Sequence, residues 1–197
     1  MRYLTLLLTS LFSFLILSSC GYQFGQGSLP QKYHTISVPY VKGDYVKGDY
    51  VKGDYTGKLT AELIHEIARS GAFRYDHDCG ELILQTVIVD YKEENIGFRY
   101  DRDKELKRTH SIIPIETRAT ILAEVSVIDS RSGCVVQGPA RISADVDFDH
   151  DYYFSRDIVN RTSLGQVADI DEARDAVLTP LNKILAEKIV DYVIHSW

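Results

Sequence analysis

The chain has 197 residues, of which 45% are hydrophobic and 25% charged, a globular composition long enough for one domain with a real core. Its formal charge of −6 argues against a general nucleic-acid binder, which needs a basic surface. Thirteen tyrosines stand beside one tryptophan and one methionine, and an apolar ring with a polar tip suits half-wet surfaces and interfaces.

Residues 1–19 read as a signal peptide: Arg2, a run from Tyr3 to Leu17 that is almost entirely apolar, then Ser18 and Ser19. The run is too short to span a bilayer comfortably. It ends "LSSC" at Cys20, the pattern of a bacterial lipobox, whose cysteine is lipidated on sulfur and becomes the new N-terminus. The alternative is a plain signal peptide that happens to end in cysteine. More than one acyl chain would anchor the mature chain stably to a membrane. Residues 20–34 read as a lipidated N-terminal tether, with Gly, Gln and Ser and no periodicity.

"TISVPYV" (Thr35–Val41) reads as a strand, with Pro39 marking an edge or a strand end. Three perfect copies of Val-Lys-Gly-Asp-Tyr occupy residues 41–55. Each unit balances its charges and carries a turn-forming Gly-Asp. Surface connections lengthen cheaply, at about 0.6 kcal/mol per doubling. The repeat therefore reads as a tandem duplication in an exposed loop rather than a binding array. A helix follows over "KLTAELIHEIARSGAF", with Leu59, Leu63, Ile67, Ile64 and Ala68 on one stripe. Gly71 is its stop and Arg69 favours the C-terminal dipole.

Residues 81–92 form a β-branched strand that leads into a charged stretch. From there "IIPIETRATILAEVSVIDS" makes the next strand, with Ala119, Ile121, Ala123, Val125 and Val127 alternating inward. Ser130–Gly133 is a turn. The third strand sends Ala140, Ile142, Ala144, Val146 and Phe148 inward and Arg141, Ser143, Asp145, Asp147 and Asp149 outward, with a bulge or break at Gly138-Pro139. Residues 155–168 read as an irregular polar loop. Asp169 and Glu172 have capping-box spacing before a long helix. Its stripe is Ile170, Ala173, Val177, Leu181, Ile184, Leu185, Ile189, Tyr192 and Val193. Pro180 should kink or split it.

The order β-α-β-β-β-α over residues 35–197 implies a single α+β domain. It is a two-layer sandwich, an about four-stranded, mostly antiparallel sheet with two helices on one face. The other face carries the Asp ladder and is wet or faces a partner. An up-and-down meander places Cys79 and Cys134 at the same end. In a disulfide-permissive compartment they could pair; two buried free thiols are the alternative.

Several features in this order resemble the LptE family of lipopolysaccharide-assembly lipoproteins. They are "LSSCGYQF", "TISVPYV", "GDYTGKLTAELIHEIARSGAF", the three-strand meander and the C-terminal amphipathic helix. The similarity covers nearly the whole mature chain. It implies a protein that is not an enzyme. Such a protein plugs an LptD-like outer-membrane β-barrel, assists its assembly and helps pass lipopolysaccharide to the outer leaflet. It would sit at the periplasmic face of the outer membrane on its lipid anchor. A large barrel has a polar lumen, which suits a plug with a polar, tyrosine-rich skin. A different class stays open: a generic periplasmic ligand-binding or envelope-scaffolding lipoprotein with no barrel partner.

Under that resemblance, Arg99, Arg102, Lys104, Lys107 and Arg108 at a hairpin tip are candidates for contact with lipid A phosphates. Asp101, Asp103 and Glu105 are interleaved among them, and a solvated loop of mixed charge is the simpler reading. "DVDFDHDYY" (Asp145–Tyr153) lacks the glycine and distal glutamate of a calcium loop and reads as the outer face of a strand. "HDC" (His77–Cys79) has no second ligand pair at zinc spacing. "NRT" (Asn160–Thr162) matches a glycosylation acceptor, which has little weight in a bacterial lipoprotein. No catalytic or phosphate-loop motif is present, so neither metal nor cofactor is expected.

Overall fold

The computed structural model describes residues 27–43, 55–103, 105–150 and 170–195. The signal peptide, Cys20, most of the tether and of the repeat, Lys104, the 155–168 loop with Asn160–Thr162, and Asp169 of the capping box lie outside the described residues. In chain order the elements are α1 (Ser28–Lys32), β1 (Thr35–Ser37), α2 (Tyr55–Ser70), β2 (Arg74–Tyr75), β3 (Leu82–Arg102), β4 (Arg108–Asp129), β5 (Val135–Asp149) and α3 (Ile170–His195). One five-stranded sheet has the order β2-β1-β3-β4-β5. β1 runs parallel to β2 and β3, while β3, β4 and β5 form the antiparallel meander. Parallel neighbours require a crossover, and α2 supplies it between β1 and β2.

The α+β architecture stands. The sheet gains a fifth strand, the two-residue β2, because the chain leaving α2 pairs once more with β1 through Thr35↔Arg74 and Ile36↔Tyr75. Residues 27–34 are not a free tether. Leu29 and Tyr33 are buried, and the Gly27 N–H donates to Ile194 O of α3 at 2.7 Å. β1 stops at Ser37, two residues before Pro39. Pairing resumes beyond the proline, where Lys42 N–H donates to Thr86 O (3.1 Å) and Ile88 N–H to Lys42 O (2.8 Å).

Period-two burial decides which face is inside. Leu82, Leu84, Thr86 and Ile88 of β3 and Ala119, Ile121, Ala123, Val125 and Val127 of β4 are all buried. All but Thr86 share one core with Leu59, Leu63 and Ile67 of α2 and Leu181, Leu185 and Ile189 of α3. The alternation expected for β5 is present but shallower. Ala144 is buried, whereas Ile142, Val146 and Phe148 are partly covered, because β5 is an edge strand. The break expected at Gly138-Pro139 is a bulge. Val125 pairs Ala140 and Val127 pairs Gln137, so two residues oppose one. Gly138 there has φ +92°, which favours glycine.

One helix expectation is corrected and a second is narrowed. Ala68 is exposed, and Glu66 takes the buried place on α2. Arg69 makes that possible by donating from Nε and Nη2 to both Glu66 oxygens at 2.8 Å each, and Nη2 also reaches Glu187 of α3 at 3.1 Å. Pro180 does not split α3, which is a single element from Ile170 to His195. Both Pro180 and Ala176, whose carbonyl loses its partner, lie on the exposed side, where water can satisfy the carbonyl.

Cys79 and Cys134 do reach the same end of the sheet, where Ser130 N–H donates to Glu81 O at 2.9 Å. They are free and exposed, so neither the expected pairing nor the buried alternative is realised. Each belongs to its own turn. Cys79 N–H donates to Asp76 Oδ1 (3.0 Å), and the Cys134 thiol turns to Ser132 O (3.9 Å).

Candidate functional site

β3 and β4 outrun the sheet that holds them. β1 pairs only with Leu82 and Ile83 of β3, and Lys42 bridges Val87. On the other side β5 reaches no further along β4 than Glu116↔Asp149. Beyond these points Phe98–Arg102 and Arg108–Pro114 form an arm whose strands pair only with each other among the described residues. The charged stretch expected as a loop is thus mostly strand, with β3 running to Arg102 and β4 starting at Arg108.

The arm has an apolar outer face. Tyr100 stands opposite Ile112 and Phe98 opposite Pro114, and residues two apart share a face. Their exposure is large: Phe98 57%, Tyr100 51%, Ile112 60%, and Leu106 at the turn 56%. These residues were missed because the surrounding charges masked a period-two pattern. "IGFRY" places Ile96, Phe98 and Tyr100 two apart, and that was the available signal.

The carboxylates of the arm's end serve its backbone. Asp103 Oδ1 accepts the N–H groups of Glu105 (3.0 Å) and Lys107 (2.8 Å). Asp101 Oδ1 accepts the Arg102 N–H at 2.6 Å. This local bonding holds the turn, in which Leu106 has φ 63°. Among the described residues none of Arg99, Arg102, Lys107 and Arg108 makes an ion pair. Arg102 and Arg108 face each other across the ladder. The Arg108 guanidinium lies 5.2 Å from the Tyr100 ring centroid, a cation–π distance. Arg99, opposite Ile113, is on the other side of the ribbon. Of the five basic candidates the structure therefore groups Arg102, Lys107 and Arg108, separates Arg99, and does not describe Lys104.

The arm is braced at its root. Arg174 of α3 donates from Nε to Glu93 Oε2 (2.8 Å) and Oε1 (3.1 Å), and Tyr91 donates its hydroxyl to Oε1 at 3.0 Å. Burial, with the Glu93 charge beside it, pushes the Tyr91 phenol well above its ordinary range. Thr117 donates to Asn95 Oδ1 (2.9 Å) and meets His150 Nε2 at the same distance.

The sheet face away from the helices is mixed, with Ile83, Val87, Leu122 and Ile128 half-buried between charged pairs. Arg118 pairs with Asp147 through Nε and Nη2 at 2.7 and 2.8 Å, and Arg141 reaches Glu124 at 3.6 Å. The hydrogen bond from Arg118 holds the Asp147 carboxyl below the usual carboxylate range. Asp145 and Asp149 alternate with the inward residues on β5, which accounts for the described part of the aspartate run. His77 and Asp78 are exposed in the turn that ends at Cys79.

No family model matches the sequence, and none of the curated proteins does. Solved structures of similar shape include a rare lipoprotein B from Shewanella oneidensis, with 13% identity and a TM-score of 0.43, covering 81% of this chain and 93% of that one. A minor lipoprotein from Acinetobacter baumannii has 13% identity and a TM-score of 0.38, covering 83% and 95%. The hypothetical protein CT253 from Chlamydia trachomatis has 9% identity and a TM-score of 0.48, covering 82% and 95%.

Proposed function

We propose that this chain is an outer-membrane lipoprotein, lipidated at Cys20, that plugs an LptD-like β-barrel. In this reading it assists assembly of the barrel and helps deliver lipopolysaccharide to the outer leaflet. It performs no catalysis. The observation that carries the reading is the division of the sheet into two faces. One is closed by both long helices; the other is left open and skinned with the pairs Arg118–Asp147 and Arg141–Glu124. A barrel lumen is polar, and the charged pairs of this face can meet it, with Ile83, Val87, Leu122 and Ile128 half-buried among them. The leader and the element order of the LptE-like sequence pattern agree with it.

The test is affinity purification of the crosslinked protein from outer-membrane extracts. Recovery of a large β-barrel is the expected result. Recovery of soluble periplasmic partners alone would overturn the plug and favour the generic ligand-binding or scaffolding lipoprotein. For lipopolysaccharide, Arg99, Arg102, Lys104, Lys107 and Arg108 are the proposed contacts. Their joint replacement by glutamine should weaken binding of purified lipopolysaccharide, and unchanged binding would remove the site.

A further inference from the structure

The arm poses a problem that the plug does not solve. A two-stranded ribbon is marginal in water on its own. This one also exposes Phe98, Tyr100, Ile112 and Leu106. Its two outer edges have no strand neighbour among the described residues. The edge amides need water or a hydrogen-bonding partner, so the ribbon cannot lie within hydrocarbon. The aromatic side chains need an apolar phase for the ring and a wet one for the Tyr100 hydroxyl. The headgroup region of a bilayer meets both demands, and aromatic residues concentrate there.

Charge selects the kind of bilayer. Arg102, Lys107 and Arg108 make no ion pair among the described residues, while Asp103 accepts backbone N–H groups of the turn and Asp101 accepts that of Arg102. Arg108 stands over the Tyr100 ring, so a guanidinium borders the apolar patch. Residues 99–108 hold five basic side chains and three acidic ones, Asp101, Asp103 and Glu105, in a chain whose formal charge is −6. Basic side chains beside an apolar face are attracted to anionic lipid.

We propose that the outer face of this arm docks onto the surface of an anionic phospholipid bilayer. Phe98, Tyr100 and Ile112 enter the headgroup–acyl boundary, and Arg102, Lys107 and Arg108 meet lipid phosphates. Together with an acyl group at Cys20 this would give the chain a second membrane contact and fix its orientation at the surface. The docking needs neither a barrel nor lipopolysaccharide, so its test is independent of the plug.

The probe is the unacylated chain 21–197, which contains every described residue and hence the whole described core. It is sedimented with phosphatidylethanolamine/phosphatidylglycerol vesicles and with neutral phosphatidylcholine vesicles. One variant carries Phe98→Thr, Tyr100→Thr and Ile112→Thr; another carries Arg102→Gln, Lys107→Gln and Arg108→Gln. Binding is expected on the anionic vesicles, weaker with rising salt, and reduced at least about tenfold in each variant. Thermal unfolding checks that the variants remain folded; should the threonine set unfold, the glutamine set carries the test alone. Absence of binding, equal binding to neutral vesicles, or variants that bind like the parent would each overturn the proposal. So would a dimer in solution that the threonine set dissolves, since a second copy would then cover the face.

Discussion

At the scale of single residues, the least replaceable polar contact is Arg174 with Glu93. Both side chains are mostly buried, at 16% and 14% exposure, and Glu93 also accepts from Tyr91. Arg174→Ala would leave the carboxylate desolvated and uncompensated, at a cost of about 3 kcal/mol, read as a lower midpoint in urea unfolding. Arg174→Lys should recover part of this, since it restores the charge without the forked geometry. A second residue-scale prediction concerns pH. Asp129 accepts N–H bonds from Arg131 (2.9 Å) and Ser132 (3.4 Å) and the Tyr33 hydroxyl (3.1 Å). The Arg131 N–H is the largest cause holding its carboxyl below the usual range. Its folded value therefore lies below its unfolded value. The stability it contributes is present above the unfolded value, roughly pH 4, and is lost as pH falls through the folded one. Asp129→Asn should lower stability at pH 7 and match the parent near the acid end. An equal deficit at both ends would show that the charge is not what matters.

At the scale of elements, the repeat joins β1 to α2, and its two ends belong to the fold. Val41 and Tyr55 are buried, Val41 N–H donates to Thr60 Oγ1 at 3.0 Å, and Lys42 bridges Val87. A Cβ placed on Gly43 would lie 3.4 Å from Thr56 Cγ2, so the two ends of the connection already meet. Removing residues 44–53 leaves one Val-Lys-Gly-Asp-Tyr copy, with Asp54 as the only link between Gly43 and Tyr55. The shortened chain should fold with equal or higher thermal stability, because closing a shorter loop costs less entropy. A large drop would mean that the duplicated residues make contacts of their own. The same comparison explains what could be read from sequence. The core faces of β4 and α2 were legible because burial imposes period two on Ala119–Val127 and a four-residue spacing on Leu59, Leu63 and Ile67. The second half of the α3 stripe, Leu178, Ala186, Val190 and Ile194, was not, because a helix buried between a sheet and a neighbour has a wider apolar face than one stripe. The arm was least legible. Its strands bury little, so solvent leaves charged residues on it and the usual signal of a strand fades.

At the scale of the whole molecule, one closed core carries stability and one projecting ribbon carries exposed apolar surface. Among the described residues between Ile96 and Glu116 only Ile113 is buried, and it is outside the core cluster. Stability and docking should therefore be separable. Asn95 pairs with Thr117, so replacing residues 96–116 with Asn-Gly closes the ladder there with a two-residue turn of the type hairpins favour. The truncated chain keeps the root contacts of Glu93 with Arg174 and Asn95 with Thr117. It should unfold in a single transition within a few degrees of the parent, the range expected when about 1 kcal/mol or less is lost, as followed by far-ultraviolet circular dichroism. The same chain should lose its binding to anionic vesicles and to lipopolysaccharide. A broad or strongly lowered transition would mean that the arm is part of the folding unit, and the division of labour between core and arm would fall. Retained binding in a cooperatively folded truncation would instead move the docking surface off the arm and onto the open face of β4 and β5.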